Sequence, residues 1–444
     1  MTSSTLPTSK LARGKIVGKA MLKIGVNHTA TAIKGTFSKS SKKKKSQEDR
    51  DIKNAKIIMD SLGQLKGVSV KIAQQVALSM PFLPKAYLDE MSKSFQSIPP
   101  INKALVRKII KQELNNYPKE VFSKFELEPF GSASLGQVHY ALYNEQNLAI
   151  KVQYPGIGKS IQSDISILKF ALSRFAKGKN IDHVIDEISD RLYEEVDYET
   201  EVENLQFFYN NLKHPYIIVP KPIDELSTTR VLSSTLLRGM NLEQFLASCP
   251  SLELRNHYAQ VLFDSFFISL YELGKIHADP NPGNFIFMDN KKLGIIDFGC
   301  VKSFNSSFIE SFNRLHLSLI HKVDESDIVE QYVELNMIDR DEPSKMLEFY
   351  HRVIKPLDSI YIEIFLKDKY SFSTDNNFSK RGFDAIMQVQ KEQVDSIHKI
   401  NQEYIFLDRT LLGYYAIFEK MEATIDTSFA KETMNKFAKG AYNE

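Results

Sequence analysis

His277-Ala-Asp-Pro-Asn-Pro-Gly-Asn284, followed by Leu293-Gly-Ile-Ile-Asp-Phe-Gly299, is the stretch on which the fold of this chain turns. Asp279 and Asn284 keep an Asp-x-x-x-x-Asn interval, so one short loop offers a carboxylate as a base and an amide oxygen as a metal ligand. Leu293 to Ile296 reads as a short strand that delivers Asp297, a second carboxylate for a metal ion. Alone, Asp279-Pro-Asn-Pro-Gly283 equally fits a plain turn, because every residue in it is a turn former. The deciding residues lie upstream.

Ala149-Ile-Lys151 has the form of the strand that brings a lysine to the α- and β-phosphates of a nucleotide. The lysine, the Asp/Asn loop and the Asp-Phe-Gly then stand in the order a protein kinase requires, with ATP and Mg²⁺ as cofactors. Gly131-Ser-Ala-Ser-Leu-Gly136-Gln-Val138 outlines the nucleotide-covering loop Gly-x-Gly-x-x-Gly-x-Val, with Ala133 in place of the middle glycine. Gly131, Ser132, Ala133, Ser134, Gly136, Val138 and Lys151 are therefore the nucleotide-binding candidates. Asn284 and Asp297 are the metal ligands, and Asp279 is the catalytic carboxylate. Glycine allows close backbone approach and positive φ, so Ala133 should alter the loop's shape.

Together, Ser134-Leu-Gly-Gln-Val-His139, Ala149-Ile-Lys-Val-Gln-Tyr-Pro-Gly156, Glu195-Val-Asp-Tyr198, Asp279 to Asn284 and Asp297-Phe-Gly299 make the chain resemble the UbiB/ADCK (AarF-like) atypical kinase family associated with ubiquinone biosynthesis. The resemblance covers roughly residues 60 to 305. It implies an α+β, protein-kinase-like two-lobed fold with an N-terminal helical extension and a helical C-terminal region. The expected layout is a basic flexible segment over 1–50, the extension over 51–120, an N-lobe over 121–240 and a C-lobe over 241–444. The family's Lys-x-Gly-Gln signature is matched by Lys71-Ile-Ala-Gln74, with alanine in place of the glycine. In the family that lysine meets a Glu-x-Asp motif, here Glu195-Val-Asp197, so Lys71 and Glu195 join the catalytic candidates. From periodicity alone, Lys71 would be a solvated helix lysine, and Glu195 and Asp197 an acidic helix face. Ile181, Ile185, Ile188 and Leu192 give the Ile181–Asn204 region one apolar face. Which of Glu194, Glu195 and Asp197 pairs with Lys151 and which with Lys71 is left open by the sequence. Glu201 and Asn204 read as structural, as do His139 and His277.

Composition bounds the remaining possibilities. With 43% hydrophobic residues in 444, the chain can build a full core, and no apolar run reaches the ~18 residues of a membrane span. Val261 to Tyr271, interrupted by Asp264, reads as a buried helix feeding the catalytic loop. Two cysteines, Cys249 and Cys300, announce neither a disulfide framework nor a zinc site. Arg230 to Gly239 reads as the lobe-joining strand and turn, Phe308–His321, Ser326–Met337 and Thr410–Met421 as amphipathic helices, and Ser371–Ser379 as a polar loop.

Residues 1 to 47 carry no Asp or Glu and include Lys42-Lys-Lys-Lys45, a charge pattern that suits either an anionic membrane surface or a solvated, disordered arm. Leu6 to Arg13 is similar to the opening of bacterial family members. The expected location is the bacterial cytoplasm, peripheral on the inner membrane, with the mitochondrial matrix as the alternative. The activity implied is Mg-ATP-dependent hydrolysis, or phosphorylation of a small or lipid-like acceptor, in support of polyprenyl quinone biosynthesis. Implied partners are a quinone precursor or isoprenoid lipid and quinone-biosynthesis proteins; no aromatic-basic groove points to nucleic acid. A conventional protein kinase acting in trans and a nucleotide-binding scaffold without turnover are the competing readings.

Overall fold

The computed structural model describes residues 18–19, 101–133, 135–158, 161–162, 164–166, 169, 182–395 and 401–438. Apart from Gly18 and Lys19, the basic segment lies outside these residues, as do the extension up to residue 100, with Lys71, and Ser134. Two compact units partition the chain: residues 1–200 with 223–234, and residues 201–222 with 235–444.

The first unit is built on an antiparallel sheet. Strands β1 (Lys124–Phe125), β2 (Gly131–Ala133), β3 (Gly136–Tyr143) and β4 (Gln146–Gln153) are joined by the strand Val231–Thr235 in the order β1-β3-β4-Val231, with β2 also paired to β3. Asn144 and Glu145, both at positive φ, close the β3–β4 hairpin, the conformation whose twist matches that of the flanking strands. Alternation along β4 buries Leu148, Ile150 and Val152 and sets Lys151 on the other face. The helix Lys103–Leu114 covers the apolar face with Val106, Ile109 and Ile110, residues that share a helix side at i, i+3 and i+4 spacing. Asn102 caps its start by accepting from the Leu105 N–H, and Asn115 ends it at φ 60°. In the helix Asp182–Val196 the expected apolar face is real, with Ile185, Ile188 and Leu192 buried.

The second unit surrounds the helix Leu252–Tyr271, polar over its first turns and almost wholly buried from Tyr258 onward. It runs into the strand Lys275–His277, which pairs antiparallel with Val301–Ser303. A three-stranded sheet lies alongside in sequence: Leu293–Ile295 pairs parallel with Ile217–Ile218 and antiparallel with Phe285–Phe287. Helices follow at Ser306–His321, Glu325–Glu334, Lys355–Phe365, Phe378–Asp395, Gln402–Lys420 and Ser428–Ala438. The segment expected as a polar loop over 371–379 is partly ordered core. Phe372 and Phe378 are buried, the strand Lys369–Ser371 pairs with Thr424–Asp426, and the aromatic contacts outweigh the polar composition. No described helix is long and apolar enough to cross a membrane.

The helical region encloses a polar knot. Tyr332 donates to a carboxylate oxygen of Asp358, and the Tyr404 and Tyr332 hydroxyls lie 3.1 Å apart. Burial pushes the Asp358 carboxyl up to about 7, against hydrogen bonds from Tyr332 and Tyr350 that pull it down. Asp408, fully enclosed, is also raised by burial and then by the charge of Asp358. Because the folded pKa of Asp358 is raised, the native state keeps a proton that the unfolded chain releases near the ordinary 3.8. That contribution is intact below this value and is lost as pH rises towards about 7. The Asp358→Asn amide can accept from Tyr332 but cannot ionise. Its melting temperature relative to wild type should be clearly more favourable at pH 8 than at pH 5. An identical difference at both pH values in thermal melts would show that Asp358 is ionised in the fold.

Candidate functional site

In the first unit the β3–β4 register places Lys151 opposite Val138, and the β2–β3 hairpin sets Gly131 opposite Val138 and Ala133 opposite Gly136. The polar residues of the Gly-Gln-Val-His motif are used internally. The Ile101 N–H donates to Gln137 Oε1 at 2.9 Å, and Gln137 Nε2 lies 2.8 Å from His139 Nε2. His139 Nδ1 is 2.8 Å from the Glu126 carbonyl, so the imidazole donates there and accepts from Gln137. Burial holds its pKa below the usual histidine range. His139 is scaffold.

Asp197 separates two helices and caps the second, Tyr198–Asn211. One carboxylate oxygen accepts from the Thr200 N–H at 3.1 Å and the other from the Thr200 hydroxyl at 2.8 Å. Gln153, at the end of β4, donates to the Val196 carbonyl at 2.8 Å and fastens this junction to the sheet. Glu194 is exposed and Glu195 partly buried.

In the second unit, Asn284 Nδ2 lies 3.0 Å from Asp279 Oδ2 and 3.2 Å from the Asp279 carbonyl, so the amide NH₂ is committed to the loop. The side-chain oxygen, Oδ1, is what Asn284 can offer a cation; its backbone carbonyl is used within the fold. The Ile296 N–H donates to the Asn284 carbonyl at 2.9 Å, linking this loop to the strand before Asp297. His277 Nε2 donates to the Asp297 carbonyl at 2.8 Å, and the Ala278 N–H to the Cys300 carbonyl at 2.9 Å. Asp297 itself stands at φ +64°, in the left-handed region that non-glycine residues adopt uncommonly, asparagine and aspartate more often than most. Phe298 is buried, its ring 5.0 Å from Phe208 and 5.4 Å from His277.

Three neighbours of this loop pair lie outside the Asp/Asn loop and the Asp-Phe-Gly themselves. Asn204 donates to the Phe298 carbonyl at 3.3 Å. Glu201 is 3% exposed, and a Cβ placed on Gly299 would be 3.5 Å from its carboxylate oxygen and 3.3 Å from Asp297 Oδ1. Both, read as structural from the sequence, border the Asp-Phe-Gly. From behind, the Gln402–Lys420 helix supports the loop. A Cβ on Gly413 would fall 2.1 Å from Pro280 Cγ, and the Tyr414 hydroxyl donates to the His277 carbonyl at 3.2 Å. Burial, then the charge of Asp279, raises the Tyr414 pKa. An isolated glycine inside an amphipathic helix was the available signal for this contact.

The oxygen donors fit Mg²⁺, which takes one or two carboxylates together with phosphate and water oxygens rather than a full protein cage. Among the described residues no three His, Cys, Asp or Glu side chains form such a cage. Residues 93–332 match the ABC1 atypical kinase-like domain. The chain belongs to that family. It is 30% identical over 322 residues to the atypical kinase COQ8, mitochondrial, of Saccharomyces cerevisiae, covering 71% of this chain and 64% of that one. With zebrafish COQ8B, mitochondrial, identity is 25% over 444 residues, 94% of this chain and 67% of the relative. An Arabidopsis thaliana ACTIVITY OF BC1 COMPLEX KINASE 8, chloroplastic, is 28% identical over 295 residues, and the chain spans only 39% of its length. The fold of this ABC1-family protein is also that of the Mycobacterium tuberculosis Rv3197 protein, solved with erythromycin, at TM-score 0.63 and 22% identity over 89% of this chain and 99% of that one.

Gly413→Ala separates two opposing effects. Alanine in a helix interior is favoured over glycine by about 1 kcal/mol, whereas overpacking typically costs about 1–3 kcal/mol. With Pro280 in the way, the variant should melt below wild type and show faster amide hydrogen exchange over residues 278–284. A higher melting temperature would refute the close approach.

Proposed function

We propose that this ABC1-family protein is a phosphotransferase that uses Mg-ATP, by hydrolysis or by transfer to a small or lipid-like acceptor, in support of polyprenyl quinone biosynthesis. The observation that carries the reading is the Asp279/Asn284 loop hydrogen-bonded to the strand before Asp297, which supports Asp279 as general base and Asn284 with Asp297 as oxygen donors for Mg²⁺. Bound Mg²⁺ would neutralise charge building on the transferred phosphoryl group.

In this reading Lys151 holds the α- and β-phosphates, and Asp297 with the Asn284 side-chain oxygen binds the metal. Asp279 Oδ2, already accepting from Asn284, orients the attacking hydroxyl or water and takes its proton. Lys71 and Glu195 remain proposed members of the site through the family motif. Gly131, Ser132, Ala133, Ser134, Gly136 and Val138 are the proposed cover over the nucleotide. The yeast and zebrafish names support the quinone assignment, and their mitochondrial labels are consistent with the mitochondrial alternative for location. The Lys-rich segment before residue 47 supports a peripheral association with anionic membrane, where such an acceptor would reside.

Phosphate release from Mg-ATP, with and without anionic liposomes and a quinone-precursor-like phenol, tests the proposal. Asp297→Asn should lower turnover by about 10²-fold or more, the scale of losing one electrostatic contact to the transition state. Equal turnover in wild type and variant would remove Asp297 from the mechanism, and binding without any turnover would favour a scaffold.

A further inference from the structure

Lys151 has a neighbour that no nucleotide-binding motif names. Its ammonium lies 5.0 Å from the centroid of the Tyr198 ring, within cation–π range. Tyr198 is 1% exposed, so that interaction is largely withdrawn from water. The same side chain meets the base of the glycine loop: a Cβ on Gly136 would fall 2.7 Å from the Tyr198 hydroxyl oxygen and 2.6 Å from the Val152 carbonyl. Only a glycine leaves room there, so the need for glycine at 136 follows from Tyr198 and the β4 backbone, before any phosphate is considered.

We propose that Tyr198 is a positioning residue that holds the Lys151 ammonium on its ring face and, through its hydroxyl end, sets the start of β3 at Gly136. The tyrosine is itself held in place. Asp197 caps the helix that Tyr198 begins, and Gln153, opposite Gly136 in the β3–β4 register, anchors the preceding Val196 carbonyl. One buried ring thus couples the lysine to the loop two strands share. For an enzyme that binds phosphates with Lys151, the ring presents the ammonium in a restricted place and keeps it protonated. That last step rests on the function proposed above; the geometry does not.

The test reads Lys151 directly. Full-length, nucleotide-free protein is treated with a limiting amount of an amine-acylating reagent, and modification of Lys151 is quantified by mass spectrometry against exposed Lys103 and Lys119. Acylation needs the free amine, so a ring that favours the ammonium slows it. Tyr198→Leu should raise the relative rate at Lys151 by about 2- to 10-fold, whereas Tyr198→Phe, which keeps the ring, should stay near wild type. Tyr198→Met serves in place of leucine if that variant does not fold. A rate in both ring-less variants equal to wild type overturns the proposal, as does a phenylalanine variant as reactive as the ring-less ones. With nucleotide added, Mg-ATP should protect Lys151 in wild type. Loss of protection alone would count against the nucleotide assignment and leave the lysine–tyrosine coupling standing.

Discussion

The hydrogen bond from the His277 imidazole to the Asp297 carbonyl is the constraint on which the second unit's site depends. Asp297 at φ +64° costs on the order of 1–3 kcal/mol and persists only if its surroundings over-determine it. They do so from several directions. His277 holds its carbonyl, Gly299 donates to its side chain at 3.3 Å, and the next residue, Phe298, is packed between aromatic neighbours while Asn204 holds its carbonyl. Since His277 lies two residues before Asp279, one imidazole ties the candidate metal-binding aspartate to the loop carrying the candidate base.

Each unit also supports its functional residue with a buried tyrosine and a missing Cβ. In the first unit, Tyr198 lies under Lys151 and fills the space at Gly136. In the second, Gly413 lets a helix approach Pro280 while Tyr414 donates to the His277 carbonyl. Phosphoryl transfer depends on positioning more than on covalent chemistry. Rigid aromatic supports with few rotatable bonds suit that demand, because holding them costs little side-chain entropy.

Much of this arrangement is legible from residues alone where chemistry and local geometry agree. The strand before Asp297 and the buried helix before His277 follow from short continuous apolar runs, and the apolar face of Ile185, Ile188 and Leu192 follows from the 3.6 period. His139 and His277 are rightly read as scaffold, since both imidazoles hold backbone carbonyls. Asp197 is less transparent: a carboxylate inside a functional motif and a helix cap look alike in sequence, and in the fold it caps. Phe372 and Phe378 stand amid polar residues that suggest a loop, and only their packing against Tyr415 and Phe418 makes them core.

The sequence by itself determined which chemistry is available and in what order, because phosphoryl transfer demands particular functional groups at short, fixed spacings along the chain. Lys151, Asp279, Asn284 and Asp297 are visible for that reason. Only the tertiary structure decided what holds them. Tyr198 lies 47 residues beyond Lys151 and Gly413 lies 133 beyond Pro280 in the numbering. Contacts at such separations arise from packing of whole elements, to which no local pattern of residues corresponds.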